Sequence, residues 1–517
     1  MQSDGRAARV LLAFPRLLAR LALVDRRKGE EAFDLAVPAM VTGGLRVLLR
    51  FADFLMVSLA VGSAGLAALE FGFLYFFVGF GLSLALTSGT ISVVSRLKGA
   101  DRHDRADLAV KQSLWLSLSL ALPLTAASWL YAEPMVGLLT DDPEVVELGA
   151  VYLRILMLST AFRFWSMAAA RALAGAGDTR TPMYVRLVTL PTNVGLNAVL
   201  VFGLLGAPAL GVAGAAIGTA VANALAGVVF LVVFVSGRWS VSLPVTGQQF
   251  DPGIVREIVR VATPLAGTRL AQTFSRFPFL FVLGTLGTEV VAAYAVGRRV
   301  ILLAMMPAWG YSTAASTLVG QAVGADERAE ARTYGFETLR IALVTQLLLA
   351  VALVAFAEPI AATFGDTGSL TVTFVRVFGL SVAGFSIARS MKGALRGAGD
   401  TRWPFYGAFA GAWFLRLPVA LLALPAGAVA LPLVGPLPGL GLGVVAVFVA
   451  ILGDTYLRAA VNYLRFRSGA WWRIARASDV GDSTAADPSP RSDPPTTGDD
   501  AEVEVDVDLD VEEDTAD

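Results

Sequence analysis

The hexapeptide Gly-Ala-Gly-Asp-Thr-Arg occurs twice in this chain, at Gly175–Arg180 and Gly397–Arg402, each followed two residues later by a proline, Pro182 and Pro404. The numbering of the copies is offset by 222, and three further pairs keep almost the same offset. Ala132-Glu133-Pro134 matches Ala357-Glu358-Pro359 at 225, Gly99-Ala100-Asp101 matches Gly324-Ala325-Asp326 at 225, and Pro38, Arg50 and Phe51 match Pro264, Arg276 and Phe277 at 226. Ordered matches at a nearly constant offset mark an internal duplication, so the fold of one half constrains the fold of the other. In an apolar chain, such a duplication points to a transporter with its pathway between the halves.

Hydropathy identifies the solvent. Of 517 residues 56% are hydrophobic and 16% charged, and the mean hydropathy is +0.66, too apolar for a soluble globule. Apolar stretches fall at 33–58, 65–95, 109–131, 147–170, 181–203 and 211–236, then at 257–283, 289–322, 335–356, 370–391, 403–425 and 437–463. Each is long enough to cross a bilayer. The expected fold is therefore an all-α integral membrane protein, twelve transmembrane helices in two pseudo-symmetric six-helix lobes. The expected boundaries are 1–30 for a basic amphipathic segment, 31–240 for the first lobe, 241–256 for a linker, 257–466 for the second lobe and 467–517 for an acidic tail.

Lys and Arg set the expected orientation. The amino-terminal segment carries Arg6, Arg9, Arg16, Arg20, Arg26, Arg27 and Lys28, and the second connection carries Arg96, Lys98, Arg102, Arg105 and Lys111. The alternate connections at 59–64, 132–146, 204–210, 284–288, 357–369 and 426–436 contain neither. Both termini are therefore expected in the cytoplasm of a multi-pass plasma-membrane protein. Residues 6–27 interleave Arg with apolar positions, which suits a helix lying on the cytoplasmic leaflet. Residues 479–517 hold 15 acidic residues and one basic one, so the net charge of −1 hides a body of +13. A tail of that charge density is expected to be solvated.

The chain has no cysteine and one histidine, His103. Disulfides and thiolate chemistry are excluded, and no cluster suited to acid–base or metal catalysis is visible. The glycine-rich turns are not phosphate loops, since no Gly-Lys-Ser/Thr follows them. The expectation is a non-enzyme without cofactors, with no nucleic-acid partner, acting as a monomer in the lipid bilayer.

The paired Gly-Ala-Gly-Asp-Thr turns with Pro182 and Pro404, together with Pro38 fifteen residues before Asp53, Asn193-x-x-x-Asn197 with Gly203, Gly211-Val-Ala-Gly214 with Thr219, and Gln321-x-x-Gly324-Ala325, resemble the multidrug and toxic compound extrusion family over roughly residues 30–465. The resemblance implies two lobes around a central cavity and rocking between outward and inward states. It also implies export of organic cations or other amphiphiles in exchange for inward Na⁺ or H⁺. At about 1.5 Å per helical residue, Asp53, Asn197, Asn193 and Thr219 fall in one layer about 8–14 Å below the outer surface. In the family, the matching positions of the first lobe form the polar site of the coupling cation, and Na⁺ there is the only metal expected.

Asp53 has a competing structural role, as partner of Arg50 one turn earlier. Glu70 is a reserve candidate at similar depth. Positions that carry carboxylates in the second lobe of some family members are Gln272 and Phe385 here, and Asn197 stands where some archaeal-type members have aspartate. Asp454 and Arg458, at i and i+4, are expected to pair locally. The alternative function is a flippase for lipid-linked oligosaccharide or peptidoglycan precursors, which would use a basic cavity. Arg50, Arg163, Arg276, Arg298, Arg299, Arg389 and Arg416 keep that alternative in view.

Overall fold

A computed structural model describes residues 13–243, 246–364, 368–427, 430–431, 435–436 and 439–477; at 50, 51, 53, 54, 58, 63, 66, 430, 431, 435 and 436 the side chains are not described. Of the acidic tail expected at 467–517, residues 467–477 are described and include a short helix, Trp471–Ala477, whose Trp471 and Trp472 are buried; the rest of the tail and the first part of the amino-terminal segment lie outside the described residues. The first half comprises α1 (Ala13–Arg20), α2 (Arg26–Gly99), α3 (His103–Gly137), α4 (Pro143–Leu158), α5 (Thr160–Gly175), α6 (Arg180–Phe202) and α7 (Gly211–Val235). The second comprises α8 (Pro252–Phe274), α9 (Arg276–Leu286), α10 (Thr288–Ala304), α11 (Met306–Gly324), α12 (Arg328–Ala355), α13 (Ala357–Ala362), α14 (Ser369–Gly397), α15 (Arg402–Phe409), a π-helical stretch Ala410–Arg416, α16 (Leu417–Leu421), α17 (Val444–Arg467) and α18 (Trp471–Ala477).

Among the described residues eight helical stretches are individually long and apolar enough to cross a membrane, counting the two arms of α2 separately. The pairs α4/α5 and α10/α11, bent by 45° and 42°, are each long and apolar enough for one more crossing when taken together. The runs 252–286 and 402–421, interrupted at Ser275 and by the π-helical stretch, complete the twelve-helix pattern. The expected connection at 59–64 is not a loop. α2 continues through it with one break at Gly62, whose φ of 73° and ψ of −152° suit a residue without Cβ. Within the connection expected at 426–436, β1 (Ala430–Leu431) pairs antiparallel with β2 (Gly435–Pro436).

Local chemistry explains the boundaries. Asp25, Asp142 and Asp251 cap the starts of α2, α4 and α8 by accepting bonds from Lys28 N, Glu144 N and Gly253 N, and Pro143 and Pro252 occupy first-turn positions that need no N–H. The duplicated turn is a helix stop. Gly177 N bonds Ala174 O and Asp178 N bonds Leu173 O; in the second copy Gly399 N bonds Arg396 O and Asp400 N bonds Leu395 O. This two-bond cap requires a left-handed residue, supplied by Gly177 and Gly399 at φ 93° and 80°. Asp101 and Asp326 end α2 and α11 in the same way, at φ 54° and 58°. The sequence repeat is thus a backbone repeat.

The expected surface helix over 6–27 is shorter where it is described. α1 stops at Arg20, the chain turns through Ala22 at φ 54°, and a new helix starts after Asp25. Leu18 and Val24 pack against Ala36, Tyr311, Ala314, Ile341 and Ala342, whereas Leu17 and Leu21 stay exposed. One edge of α1 is therefore docked on the protein and the other is free to meet lipid. In the first half the outer core gathers Val57, Phe76, Leu153 and Val212; in the second it gathers Phe279, Tyr294, Phe374 and Ile451. The face that carries Arg26–Lys28, the ends of α2 and α11 and both duplicated turns is termed the basic face below.

Candidate functional site

The halves meet at the basic face along a seam between α2 and α11, and its contacts come in repeat-related pairs. Ser92 Oγ donates to Arg396 O at 2.6 Å, and Thr317 Oγ1, its counterpart in the second half, donates to Ala174 O at 2.7 Å. A Cβ on Gly99 would lie 1.8 Å from Gln321 O, and one on Gly324 would lie 1.9 Å from Arg96 O. Only hydrogen fits at either place, so the backbones of α2 and α11 touch. Gln321 Nε2 reaches Gly175 O at 3.2 Å, while the Arg96 guanidinium lies beside Gly399. The duplicated turns therefore grip the opposite half.

Ion pairs extend the seam outward. Arg96 Nη2 meets Glu257 at 2.7 Å, Arg27 and Lys28 both meet Glu330 at 2.6 Å, and Arg105 meets Asp251 at 2.9 Å. The first is buried on both sides, so removing one partner would strand a charge. The others are partly exposed and contribute less each. This closure was invisible as a set of candidates in the sequence, although the repeat offset links Ser92 to Thr317 once one of them is known.

In the first half α7 packs closely on α6, because Gly214 and Gly218 face Leu200 O and Asn197. A Cβ on Gly218 would sit 1.9 Å from Asn197 Oδ1. That approach brings together three of the four expected layer residues. Asn193 Nδ2 donates to Thr219 Oγ1 at 3.2 Å, and Asn197 Nδ2 donates to Asn193 Oδ1 at 3.3 Å, with Asn193 and Asn197 2% and 0% exposed. One turn further along α7, Asn223 Nδ2 donates to Ser159 Oγ at 3.1 Å, at the α4/α5 bend. The i, i+4 spacing of Thr219 and Asn223 could have announced it. The layer offers neutral oxygens, the ligand type of hard cations. Asp53 and Arg50 lie on α2, which packs against α6, and their side chains lie outside the described part of the structure.

The reserve candidate Glu70 is exposed and makes no hydrogen bond to this layer among the described residues. Asp454 pairs with Arg458 as expected, and also with Arg416 at 3.5 Å. Arg416 sits at the end of the π-helical stretch and donates to Ser275 Oγ at 2.7 Å; π-helical turns are frequent at functional positions. Arg276 and Arg299 are exposed, while Arg298 reaches Tyr294 Oη at 3.5 Å. Arg163 lies over the Phe80 ring at 5.8 Å and Arg389 over Phe385 at 4.9 Å.

The chain resembles the "Probable multidrug resistance protein NorM" of Thermotoga maritima, at 28% identity over 86% of this chain and 94% of the relative. It also resembles the "Multidrug resistance protein MdtK" of Yersinia enterocolitica, at 24% identity over 75% of this chain and 86% of the relative. Among solved structures, one described as an "Outward-facing conformation of a multidrug resistance MATE family transporter of the MOP superfamily" superposes with a TM-score of 0.77 at 20% identity, covering 92% of this chain and all of that one. Another, of a Pyrococcus furiosus transporter described under "Reverse polarity of binding pocket suggests different function", gives a TM-score of 0.76 at 21% identity over 92% and 99%. A family model, MatE, matches residues 38–199 and 264–422, one stretch in each half. With both halves matched and a twelve-helix fold like that of the solved structures, this multi-pass membrane chain belongs to the MatE family of multidrug efflux transporters.

Proposed function

We propose that the chain is a secondary active antiporter that exports amphiphilic small molecules in exchange for inward Na⁺ or H⁺, its halves rocking about the membrane centre. The observation that carries this reading is the paired seam. Its bonds run between halves and gather at one face, so they can part as a set while each half stays intact. The excess of Lys and Arg supports a cytoplasmic position for that face, and on that reading the described conformation is outward-facing. Closure there and opening at the other face are the two states that alternating access needs.

Coupling is assigned to Asp53 with Asn193, Asn197 and Thr219. The three neutral side chains supply oxygens, and Asp53 supplies the charge that binds Na⁺ or a proton. A cation held there neutralises a carboxylate inside the membrane, which favours drier packing around α2, α6 and α7. Proteoliposomes loaded with a fluorescent dye test the assignment. Imposed Na⁺ or H⁺ gradients should drive dye transport in the wild type and not in Asp53→Asn; equal gradient-driven transport by both would count against it.

The flippase reading keeps one observation in its favour. Arg269, Arg389 and Lys392, inside the second half, have no carboxylate partner among the described residues.

A further inference from the structure

We propose that the floor between the halves, just above the seam, binds an anion, so that the transported molecule carries a carboxylate, phosphate or sulfonate group. The inference deepens the exporter reading by naming the substrate class, and rests on it for the direction of transport.

Five cations from three helices converge there: Arg171 on α5, Arg269 on α8, and Arg389, Lys392 and Arg396 on α14. Two of them fix the place. Arg171 Nη1 donates to Thr313 Oγ1 at 3.2 Å, while Arg396 Nε donates to Ser316 Oγ at 3.1 Å and its Nη2 to Ser312 O at 3.0 Å. Residues 312, 313 and 316 share one turn of α11, so cations from opposite halves end at the same spot. Arg389, Lys392 and Arg396 are spaced i, i+3 and i+7 and share one face of α14, which carries the cluster up from the seam towards the bilayer centre.

Arg269 lies within electrostatic reach of Arg171, Arg389 and Lys392. It therefore joins the α8 side to the same group. The guanidinium of Arg389 is flanked by the Phe385 ring at 4.9 Å, which covers one face and leaves its N–H edge for a ligand.

Among the described residues no acid pairs with these cations. α5, α6 and α14 contain no Asp or Glu. On α8 the one carboxylate, Glu257, is taken by Arg96 and Arg260, and Asp454 on α17 is taken by Arg458 and Arg416. Arg171 and Arg396 have a structural use, bonding to α11. Arg269, Arg389 and Lys392 make no ion pair among the described residues, and burial of like charges without counter-charge is unfavourable. An anionic ligand in a wet cleft supplies that counter-charge, and planar guanidinium forks suit carboxylate and phosphate oxygens. A cationic substrate would meet repulsion from every side of the same floor.

The test is equilibrium binding to the purified full chain in neutral detergent. The probes are two dyes with the same xanthene frame, anionic carboxyfluorescein and cationic rhodamine 6G, followed by fluorescence anisotropy. Carboxyfluorescein should bind more tightly than rhodamine 6G, weaken with added salt, and weaken at least tenfold in Arg269→Gln/Lys392→Gln. The charge-keeping Arg269→Lys/Lys392→Arg should stay within threefold of wild type, which separates lost charge from lost folding. Tighter binding of rhodamine 6G, or unchanged carboxyfluorescein binding in the Gln variant, overturns the inference. Competition then distinguishes the source: displacement by short-chain phosphatidic acid alone indicates a lipid headgroup, displacement by inorganic phosphate alone a soluble anion, and displacement by neither overturns the inference. Gradient-driven dye transport in proteoliposomes is measured separately, so a failed exporter reading leaves the binding result standing.

Discussion

Removing the two reciprocal side-chain bonds of the seam, with Ser92→Ala and Thr317→Val together, should open the basic face. Both hydroxyls are fully buried, and each donates across the halves to a carbonyl of the duplicated turn. Those carbonyls are not stranded when the hydroxyls go, because Ala174 O still accepts from Gly177 N at 3.1 Å and Arg396 O from Gly399 N at 3.0 Å. The loss therefore stays near the ordinary net worth of a hydrogen bond, about 1 kcal/mol each, rather than the larger cost of an orphaned buried acceptor. About 2 kcal/mol shifts a two-state equilibrium about 30-fold, and an open state populated at about 1% would rise to about a quarter.

The chain has no native cysteine, so spin labels at Asp104→Cys and Glu327→Cys, exposed positions at the basic face of the two halves, report the separation without interference. Pulsed dipolar spectroscopy should show a longer-distance population in the double variant. The two single variants should contribute nearly equal shares, as their repeat-related geometry requires. A distance distribution unchanged from wild type would show that these bonds do not hold the halves together.

Three further outcomes are expected. In intact cells, a membrane-impermeant maleimide should label Asp142→Cys and spare Arg105→Cys and Asp178→Cys; the reverse pattern inverts the topology. Arg50→Gln/Asp53→Asn should remain uncoupled in gradient-driven transport, and recovery of coupling would reduce Asp53 to an ion-pair partner. Gly218→Val should lower the melting temperature by an overpacking cost of about 1–3 kcal/mol and weaken ion dependence, since its Cβ would meet Asn197 Oδ1. Gly195→Ala, with open space at its Cβ, should do neither.

The sequence announces what is repeated and what is periodic. The duplicated turn exposes the two halves because its glycines are required by backbone conformation, and the helix starts at Asp25, Asp142 and Asp251 follow from side-chain caps. The bend at Ser159 has no Gly or Pro beside it and arises from tertiary packing, so no local signal marks it, whereas the bend at Met305 is followed by Pro307 in the first turn of α11, which has no N–H to continue the preceding helix. Gly62 is one of 51 glycines, and nothing in its neighbours distinguishes a break inside a continuing helix from a loop. The floor cations are hidden for a different reason. They come from helices in opposite halves of the sequence, and a single Arg within an apolar stretch reads equally well as snorkelling, paired or facing a cleft.

The offset that relates the halves also separates what the duplication kept from what it did not. Ser92 and Thr317, Gly99 and Gly324, and Gly177 and Gly399 correspond in position and in contact, so the closure at the basic face is built by both halves alike. The polar layer has no such echo: by the offset of the duplicated turns, Leu415 and Val419 are the counterparts of Asn193 and Asn197. Nor do the floor cations, since the same offset pairs Arg389 and Lys392 with Met167 and Ala170. The first half thus carries neutral oxygens suited to a small cation, and the second carries most of the unpaired positive charge suited to an anion. α2 joins these parts, running from the arm beside α6, through the break at Gly62, to Ser92 in the seam. Under the proposed mechanism, a cation that tightens α2 against α6 and α7 acts on the same helix that holds the opposite half closed. The Gly62 break is then where the two arms of α2 can change angle, so Gly62→Ala, strained at φ 73°, should impair this coupling more than it impairs either binding event alone.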